Sequence, residues 1–135
     1  MIVVDTNVVA YLLLGGEKTP GARLAFRKDP VWAAPLLWRS EFRNVLAAYL
    51  RRGTLSLSDA LEVMREAETL FRGAEYSVDS GQVLKLVSES GCSAYDCEFV
   101  ALAQQLGVSL LTSDAEILKE FPQTAMSLEA FAKKR

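Results

Sequence analysis

No histidine occurs anywhere in the 135 residues. That absence removes Ser-His-Asp and Cys-His triads, histidine general bases and the common zinc sites. Any catalysis must then run on carboxylates, Lys, Tyr, Ser or Thr, or on a bound ion. Cysteine is nearly as scarce, with Cys92 and Cys97 five residues apart in what reads as one helical segment. A helix turns them to different sides, so no disulfide is expected and no zinc pattern forms; both read as small buried apolar residues. No apolar run approaches the roughly 18 residues of a membrane span. The chain opens without a basic region ahead of an apolar stretch and without a small-residue cleavage site, so the expectation is a cytoplasmic protein with no secretory signal. Low-complexity tracts, internal repeats and long linkers are missing too. So is any basic excess: the net charge is −2, which argues against whole-molecule attraction to nucleic acid. A bound cation would still reverse the local sign of an acidic cluster.

The length suits a single domain, residues 1–135, with a core of useful size. Short β-branched or apolar runs at 2–4, 31–34, 74–78, 108–112 and 124–126 read as strands, the second stopped by Pro35. Between them, helical patterns are expected at 8–14 (ended by Gly15-Gly16), 20–28, 37–52 (capped by Gly53) and 59–71 (opened by Ser58). Others are expected from the Asp79/Gln82 capping pair to Ser90, at 93–106 (ended by Gly107), at 115–120 and at 128–134. In the third helix Trp38, Phe42, Val45, Leu46 and Tyr49 share one face. Strands alternating with helices predict an α/β fold with a central, mostly parallel sheet flanked by helices. Sites in such folds gather beyond the carboxyl ends of the strands.

Four acids stand where solvation does not account for them. Asp5 directly follows the buried run Ile2-Val3-Val4, and Asp114 follows Leu110-Leu111-Thr112. Each also has capping or turn chemistry as a plain alternative. Glu41 lies three residues after Trp38 and four before Val45, on or beside the apolar side of its helix. A carboxylate there needs a partner or a cation, and Arg39 and Arg43 point elsewhere on the helix. Asp96 completes the capping-box spacing with Ser93, yet lines up with Phe99, Val100 and Ala103 on the inward face. Hard oxygen donors in one cluster suit Mg²⁺ or Mn²⁺.

These blocks resemble a known family. Val4-Asp5-Thr6-Asn7, Glu41 in a mid-chain helix, the stretch Tyr95-Asp96-Cys97-Glu98-Phe99-Val100-Ala101-Leu102-Ala103, and Leu111-Thr112-Ser113-Asp114 resemble the PIN-domain ribonucleases. More narrowly they resemble the VapC-type toxins of toxin–antitoxin pairs, over nearly the whole chain, in order and with usual spacing. The resemblance implies a PIN-like parallel sheet with Asp5, Glu41, Asp96 and Asp114 converging on Mg²⁺ or Mn²⁺. Asp5 and Asp96 would be direct ligands, and Glu41 and Asp114 would act through water or position the nucleophile. Thr6 and Asn7 match positions that support the first aspartate, and Thr112 matches the hydroxyl beside the last. Cys97 stands where the family often has a small residue and fits that size. The implied reaction is hydrolysis of RNA phosphodiesters to 5′-phosphate and 3′-hydroxyl ends. A cognate antitoxin that inserts a helix or basic side chain near the acids, and a homodimer, are the implied partners.

Other features are less specific. Lys18, Arg23, Arg27, Lys28, Arg39, Arg43, Arg51 and Arg52 are candidate phosphate contacts or simply solvated basic surface. No stretch interleaves aromatic and basic residues as a stacking platform for single-stranded RNA does. Glu98 and Glu116 lie near the acids in sequence but are not assigned to the site. Leu12, Leu13, Leu14, Trp32, Leu36 and Leu37 are either core or part of a dimer or antitoxin groove. Two rival schemes remain open at this level: an aspartyl phosphate at Asp5, and a non-catalytic acidic pocket that docks a basic partner.

Overall fold

The strand around which the sheet is built is β1, Ile2–Val4, whose three side chains are all buried. The computed structural model describes residues 1–134. Parallel neighbours flank β1 on both sides: β2 (Trp32–Pro35), with Ile2 opposite Trp32, and β4 (Leu110–Leu111), with Val3 opposite Leu110. Outside them lie β3 (Glu75–Tyr76) beside β2 and β5 (Ala125–Met126) beside β4. The order β3-β2-β1-β4-β5 is parallel throughout. Buried on both faces, such strands need continuous apolar runs rather than alternation, as Ile2-Val3-Val4 and Leu110-Leu111 supply.

The chain leaves β1 through α1 (Thr6–Leu14) and α2 (Thr19–Lys28) toward β2. It continues outward through α3 (Leu37–Arg51) and α4 (Leu57–Leu70) to β3. It then returns through α5 (Ser80–Ser88) and α6 (Ala94–Leu106) to β4 on the other side of β1. The short α7 (Ala115–Glu120) leads to β5, and α8 (Leu128–Lys133) packs against α2. Because the chain runs one way from β1 and the other way from β4, the strand order reverses between them. In open parallel sheets that reversal opens a crevice at the carboxyl ends of the two strands.

Packing holds these elements firmly around the crevice. On α3, Trp38, Phe42 and Leu46 repeat every four residues and are buried, while Val45 and Tyr49 are half-buried at the edge of that face. The Trp38 ring lies 4.6 Å from Phe71 and 6.1 Å from Phe42, centroid to centroid. Truncating Phe42 to Ala would cost about 3–5 kcal/mol through the cavity left behind. Helix α6 runs against β1, β2 and β4, and its buried run from Phe99 to Ala103 explains why so little of it is polar. No helix among the described residues is long and apolar enough to cross a membrane.

The expected elements are all present, with shifted ends. Helix α1 begins at Thr6 rather than Val8, so Asp5 itself holds the N-cap position. Helix α4 is opened by Ser56, whose Oγ accepts the Asp59 N–H at 3.1 Å, and not by Ser58. The outer strands are shorter than their apolar runs because pairing ends where the neighbouring strand ends. Cys92 lies in the turn before α6 rather than on one helix with Cys97; both thiols are free and buried. Burial pushes the Cys92 thiol up to about 11, which leaves it protonated and inert at neutral pH. Trp32, a candidate for a groove, is 1% exposed and belongs to the core, and Leu12, Leu13, Leu14 and Leu37 pack against that core. Only Leu36 of that group stands out, 51% exposed.

Candidate active site

Two strand ends place the first pair of acids. The Asp5 N–H donates to the Leu111 carbonyl at 3.0 Å, continuing the β1–β4 ladder one residue past the strand. Asp5 therefore turns into the crevice at the head of α1, where its side chain makes no cap hydrogen bond. Its Oδ2 instead accepts the Thr112 hydroxyl at 2.8 Å. The same hydroxyl oxygen accepts the Asp114 N–H at 3.0 Å. Thr112 is fully buried, so this one side chain fixes the first and last acids relative to each other. Asp114 also caps α7, its Oδ1 accepting the Ile117 N–H at 2.9 Å. The capping alternative thus holds for Asp114, whereas Asp5 occupies its N-cap position with its strongest side-chain hydrogen bond made to Thr112 instead.

Two helices supply the other pair. The buried Thr6, first residue of α1, donates its hydroxyl to Glu41 Oε1 at 2.7 Å and so ties α3 to the crevice. Asp96 sits in the first turn of α6, its N–H donating to Ser93 Oγ at 3.1 Å as the capping spacing predicts. Two buried threonines, Thr6 one residue after Asp5 and Thr112 two before Asp114, therefore act as holders of carboxylates.

The electrostatics link the four acids to one another by charge. Burial raises the Asp5 pKa most, and the Asp114 charge adds to it; the Thr112 hydroxyl and the Thr6 and Asn7 amides oppose the shift. Glu41 is raised by burial and by the charges of Asp5, Asp96 and Glu98, against the Thr6 hydroxyl. Asp96 is raised by burial and by Asp114 and Asp5, with Ser93 opposing. Like charges and burial both penalise ionisation, and a cation would relieve both at once. Yet among the described residues none of the four forms an ion pair with a lysine or arginine. The donor set is hard oxygen throughout, the chemistry of Mg²⁺ and Mn²⁺. Among the described residues no three such side chains close on one point as a ready-made shell. The arrangement suits an ion held by one or two carboxylates that retains several waters.

Some residues fall outside the sequence expectations. Glu98 joins the acidic centre through its charge on Glu41, and burial raises its own pKa. Tyr11, one turn beyond Asn7, shares a 2.7 Å hydrogen bond with Ser113, between Thr112 and Asp114. Their 102-residue separation leaves no local signal for that contact. Arg39 is not a free phosphate contact: its guanidinium pairs with Glu75 at 2.6 and 2.8 Å and with Glu68 at 2.7 Å. Glu75 also accepts the Trp38 indole N–H at 2.7 Å, and these contacts hold its carboxyl below the usual range. Lys28 donates to the Phe131 carbonyl, across the α2–α8 contact.

Comparison with known proteins agrees with this fold. The PIN domain family model matches residues 2–122. The chain is 30% identical over 125 residues to Ribonuclease VapC3 of Pyrobaculum aerophilum, covering 90% of this chain and 95% of that protein. In fold it is similar to a crystal structure from Pyrobaculum aerophilum, with a TM-score of 0.76 at 20% identity over 97% of this chain and 92% of that one. It is similar as well to a toxin–antitoxin complex from Klebsiella pneumoniae, with a TM-score of 0.71 at 17% identity over 95% and 98% of the two chains. FitAcB from Neisseria gonorrhoeae matches with a TM-score of 0.74 at 17% identity, over 96% of this chain and 99% of that one. A match to the family model over most of the chain, a VapC relative over nearly its full length and a shared fold lead to one assignment: this chain belongs to the PIN-domain family.

Proposed function

We propose that this chain is a metal-dependent endoribonuclease, the toxin of a toxin–antitoxin pair, with Asp5, Glu41, Asp96 and Asp114 as its catalytic acids. What carries the proposal is a set of four acids coupled by charge, two at the carboxyl ends of β1 and β4 and two on α3 and α6, three of them with burial-raised pKa values and none, among the described residues, with a cationic partner. The ribonuclease named among its relatives and the toxin–antitoxin complex among its structural neighbours support the choice of substrate and setting.

Asp5 and Asp96 would hold Mg²⁺ or Mn²⁺ directly, and Glu41 and Asp114 through water. When bound, the cation supplies charge neutralisation for the scissile phosphate and acidity for a water, functions for which the chain has no histidine. The protein's own residues do the positioning. Thr112 keeps the Asp5 carboxylate from rotating, and through the Asp114 N–H it couples the two strand ends. Thr6 orients Glu41 so that one carboxylate oxygen stays engaged, leaving Oε2 to accept a proton from the attacking water. In-line attack by that water on phosphorus would leave 5′-phosphate and 3′-hydroxyl ends. An antitoxin would inhibit by placing a basic side chain among these acids, and a homodimer belongs to the same reading. Among the described residues no hydrogen bond or ion pair brings a lysine to Asp5, so the aspartyl-phosphate scheme lacks its activating cation there.

Cleavage of a structured RNA panel in Mg²⁺ or Mn²⁺ tests the proposal. Wild type should cut, and both Asp5→Asn and EDTA should abolish cutting. A well-folded wild type that cuts none of the panel but binds basic peptides through the acids would make the site a docking pocket and overturn the enzyme reading.

A further inference from the structure

Beside the acidic centre, between α1 and α3, lies a cavity of about 390 Å³ whose walls include Asn7, Tyr11, Glu17, Lys18, Val45 and Tyr49. That volume falls in the roughly 300–1,000 Å³ range of ordinary ligand sites. We propose that this cavity is a subsite for a nucleotide of single-stranded RNA flanking the scissile phosphate, a proposal that rests on the ribonuclease reading above.

Three independent features converge here. First, both tyrosine rings carry a cation: the Lys18 ammonium lies 5.2 Å from the Tyr11 centroid and the Arg52 guanidinium 4.7 Å from the Tyr49 centroid. Aromatic rings with basic groups beside them form the stacking platform that single-stranded nucleic acid uses, the ring taking a base and the cation a phosphate. Second, two of the cavity's walls are tied to the segments that carry the proposed catalytic acids, although none of the four acids lines it. Asn7 is two residues from Asp5, and the Tyr11 hydroxyl reaches Ser113 beside Asp114 at 2.7 Å. Tyr11 therefore links the cavity to the segment that carries Asp114, which is where a strand crossing the acids would continue. Third, the rim is open. The turn from α1 to α2 is made by Gly15 and Gly16, with φ of +79° and +133°, values that favour glycine, and a Cβ at either would meet nothing within 4 Å.

Glu17 also lines the cavity and opposes an anion. Within the lining Lys18 offsets it, and the Arg52 guanidinium, outside the lining on the Tyr49 ring, leaves one cation in excess beside the cavity, which favours a phosphate over the basic segment of a protein partner. Each tyrosine–cation pair is local in sequence, and the two pairs come together only where α1 packs on α3.

Fluorescence anisotropy of the full chain with a short single-stranded RNA tests the subsite. The Asp5→Asn background serves as parent, since it removes a repelling charge as well as cleavage. Tyr49→Leu, which keeps apolar bulk, should weaken binding roughly 5- to 150-fold, and Tyr49→Phe should restore it. Lys18→Ala should lower the slope of log K against log salt by about 0.7. Equal binding by parent and variants overturns the proposal, and so does a parent that binds no RNA. Variants that lose an arginine-containing amphipathic peptide while keeping RNA would assign the cavity to a protein partner, which also overturns it. Cleavage in Mn²⁺ with Asp5 restored keeps the two readings apart. Wild-type cleavage whose KM is unmoved by Tyr49→Leu and Lys18→Ala sinks the subsite and leaves the nuclease. Variant-sensitive binding without wild-type cleavage sinks the nuclease, overturns the subsite as one flanking a scissile phosphate, and leaves only an RNA-binding cavity.

Discussion

Thr112→Val is the substitution that most directly probes how the acids are held. Valine keeps the β-branched shape in a fully buried position, so packing changes little and the hydroxyl alone is lost. Two hydrogen bonds go with it. The Asp114 N–H loses the acceptor it had at 3.0 Å, and an unsatisfied buried donor costs about 1–3 kcal/mol. The Asp5 carboxylate loses its donor at 2.8 Å, a bond to a charged group worth roughly 1.5–3 kcal/mol. Partial relaxation and water entry reduce the sum, so about 2–4 kcal/mol of destabilisation is expected at neutral pH. Urea unfolding at equilibrium measures it, with Thr112→Ser as the control that retains the hydroxyl and loses only about 1 kcal/mol of methyl burial. The loss should also depend on pH. Thr112 stabilises the ionised form of Asp5, so the variant's Asp5 pKa rises further and the cost shrinks once acid protonates that carboxyl. In an Asp5→Asn background Thr112→Val should cost about 1 kcal/mol less, read by a double-mutant cycle. A Thr112→Val protein within about 0.5 kcal/mol of wild type, with no pH dependence, would refute the idea that this hydroxyl ties the two strand ends together.

The raised pKa values of Asp5, Glu41 and Asp96 set the sign of a wider pH effect. Groups raised on folding contribute stability that is present below their unfolded pKa and is lost as pH rises through the folded value, so the metal-free protein should melt higher in mild acid than at neutral pH. Mg²⁺ or Mn²⁺ at neutral pH should restore that stability in wild type and much less in Asp5→Asn, and scanning calorimetry would show an equal gain in both if the site were elsewhere. Thr6→Val should free Glu41 and lower kcat for RNA cleavage by roughly 10- to 100-fold with little change in KM, whereas Thr6→Ser should keep most of it; a pure KM effect would count against a positioning role. Arg39→Met should cost about 1–2 kcal/mol in urea unfolding, discounted for the partial exposure of its ion pairs, and leave RNA binding unchanged. A lower salt slope for that variant would return Arg39 to the substrate path.

Much of the candidate site was legible in the sequence, because strand ends announce themselves. Asp5 and Asp114 each follow an apolar run too short for a helix, and a parallel sheet directs such positions into one crevice. Glu41 was legible as a carboxylate on a face it had no reason to share with Trp38 and Val45, and Asp96 as an acid aligned with Phe99 and Val100. Those periodicities are local. The contacts that hold the acids are not: Thr112 reaches Asp5 across 107 residues, Thr6 reaches Glu41 across 35, and Arg39 finds Glu75 across 36. Spacing shows that an arginine lacks a neighbour on its own helix, but not that a distant glutamate claims it. Helix starts slipped for a related reason. Ser56 and Ser58 offer the same capping chemistry, and only the backbone path from Gly53 decides which hydroxyl meets an N–H.

The most direct test of the central claim joins metal and chemistry in one titration. RNA cleavage and Mn²⁺ binding, by calorimetry, are followed across the same Mn²⁺ range for wild type, Asp5→Asn and Asp96→Asn. The account predicts that cleavage saturates with Mn²⁺ binding in wild type, and that both substitutions weaken binding and abolish cleavage together. Cleavage that persists in EDTA, or Mn²⁺ binding left intact in both variants, would contradict it.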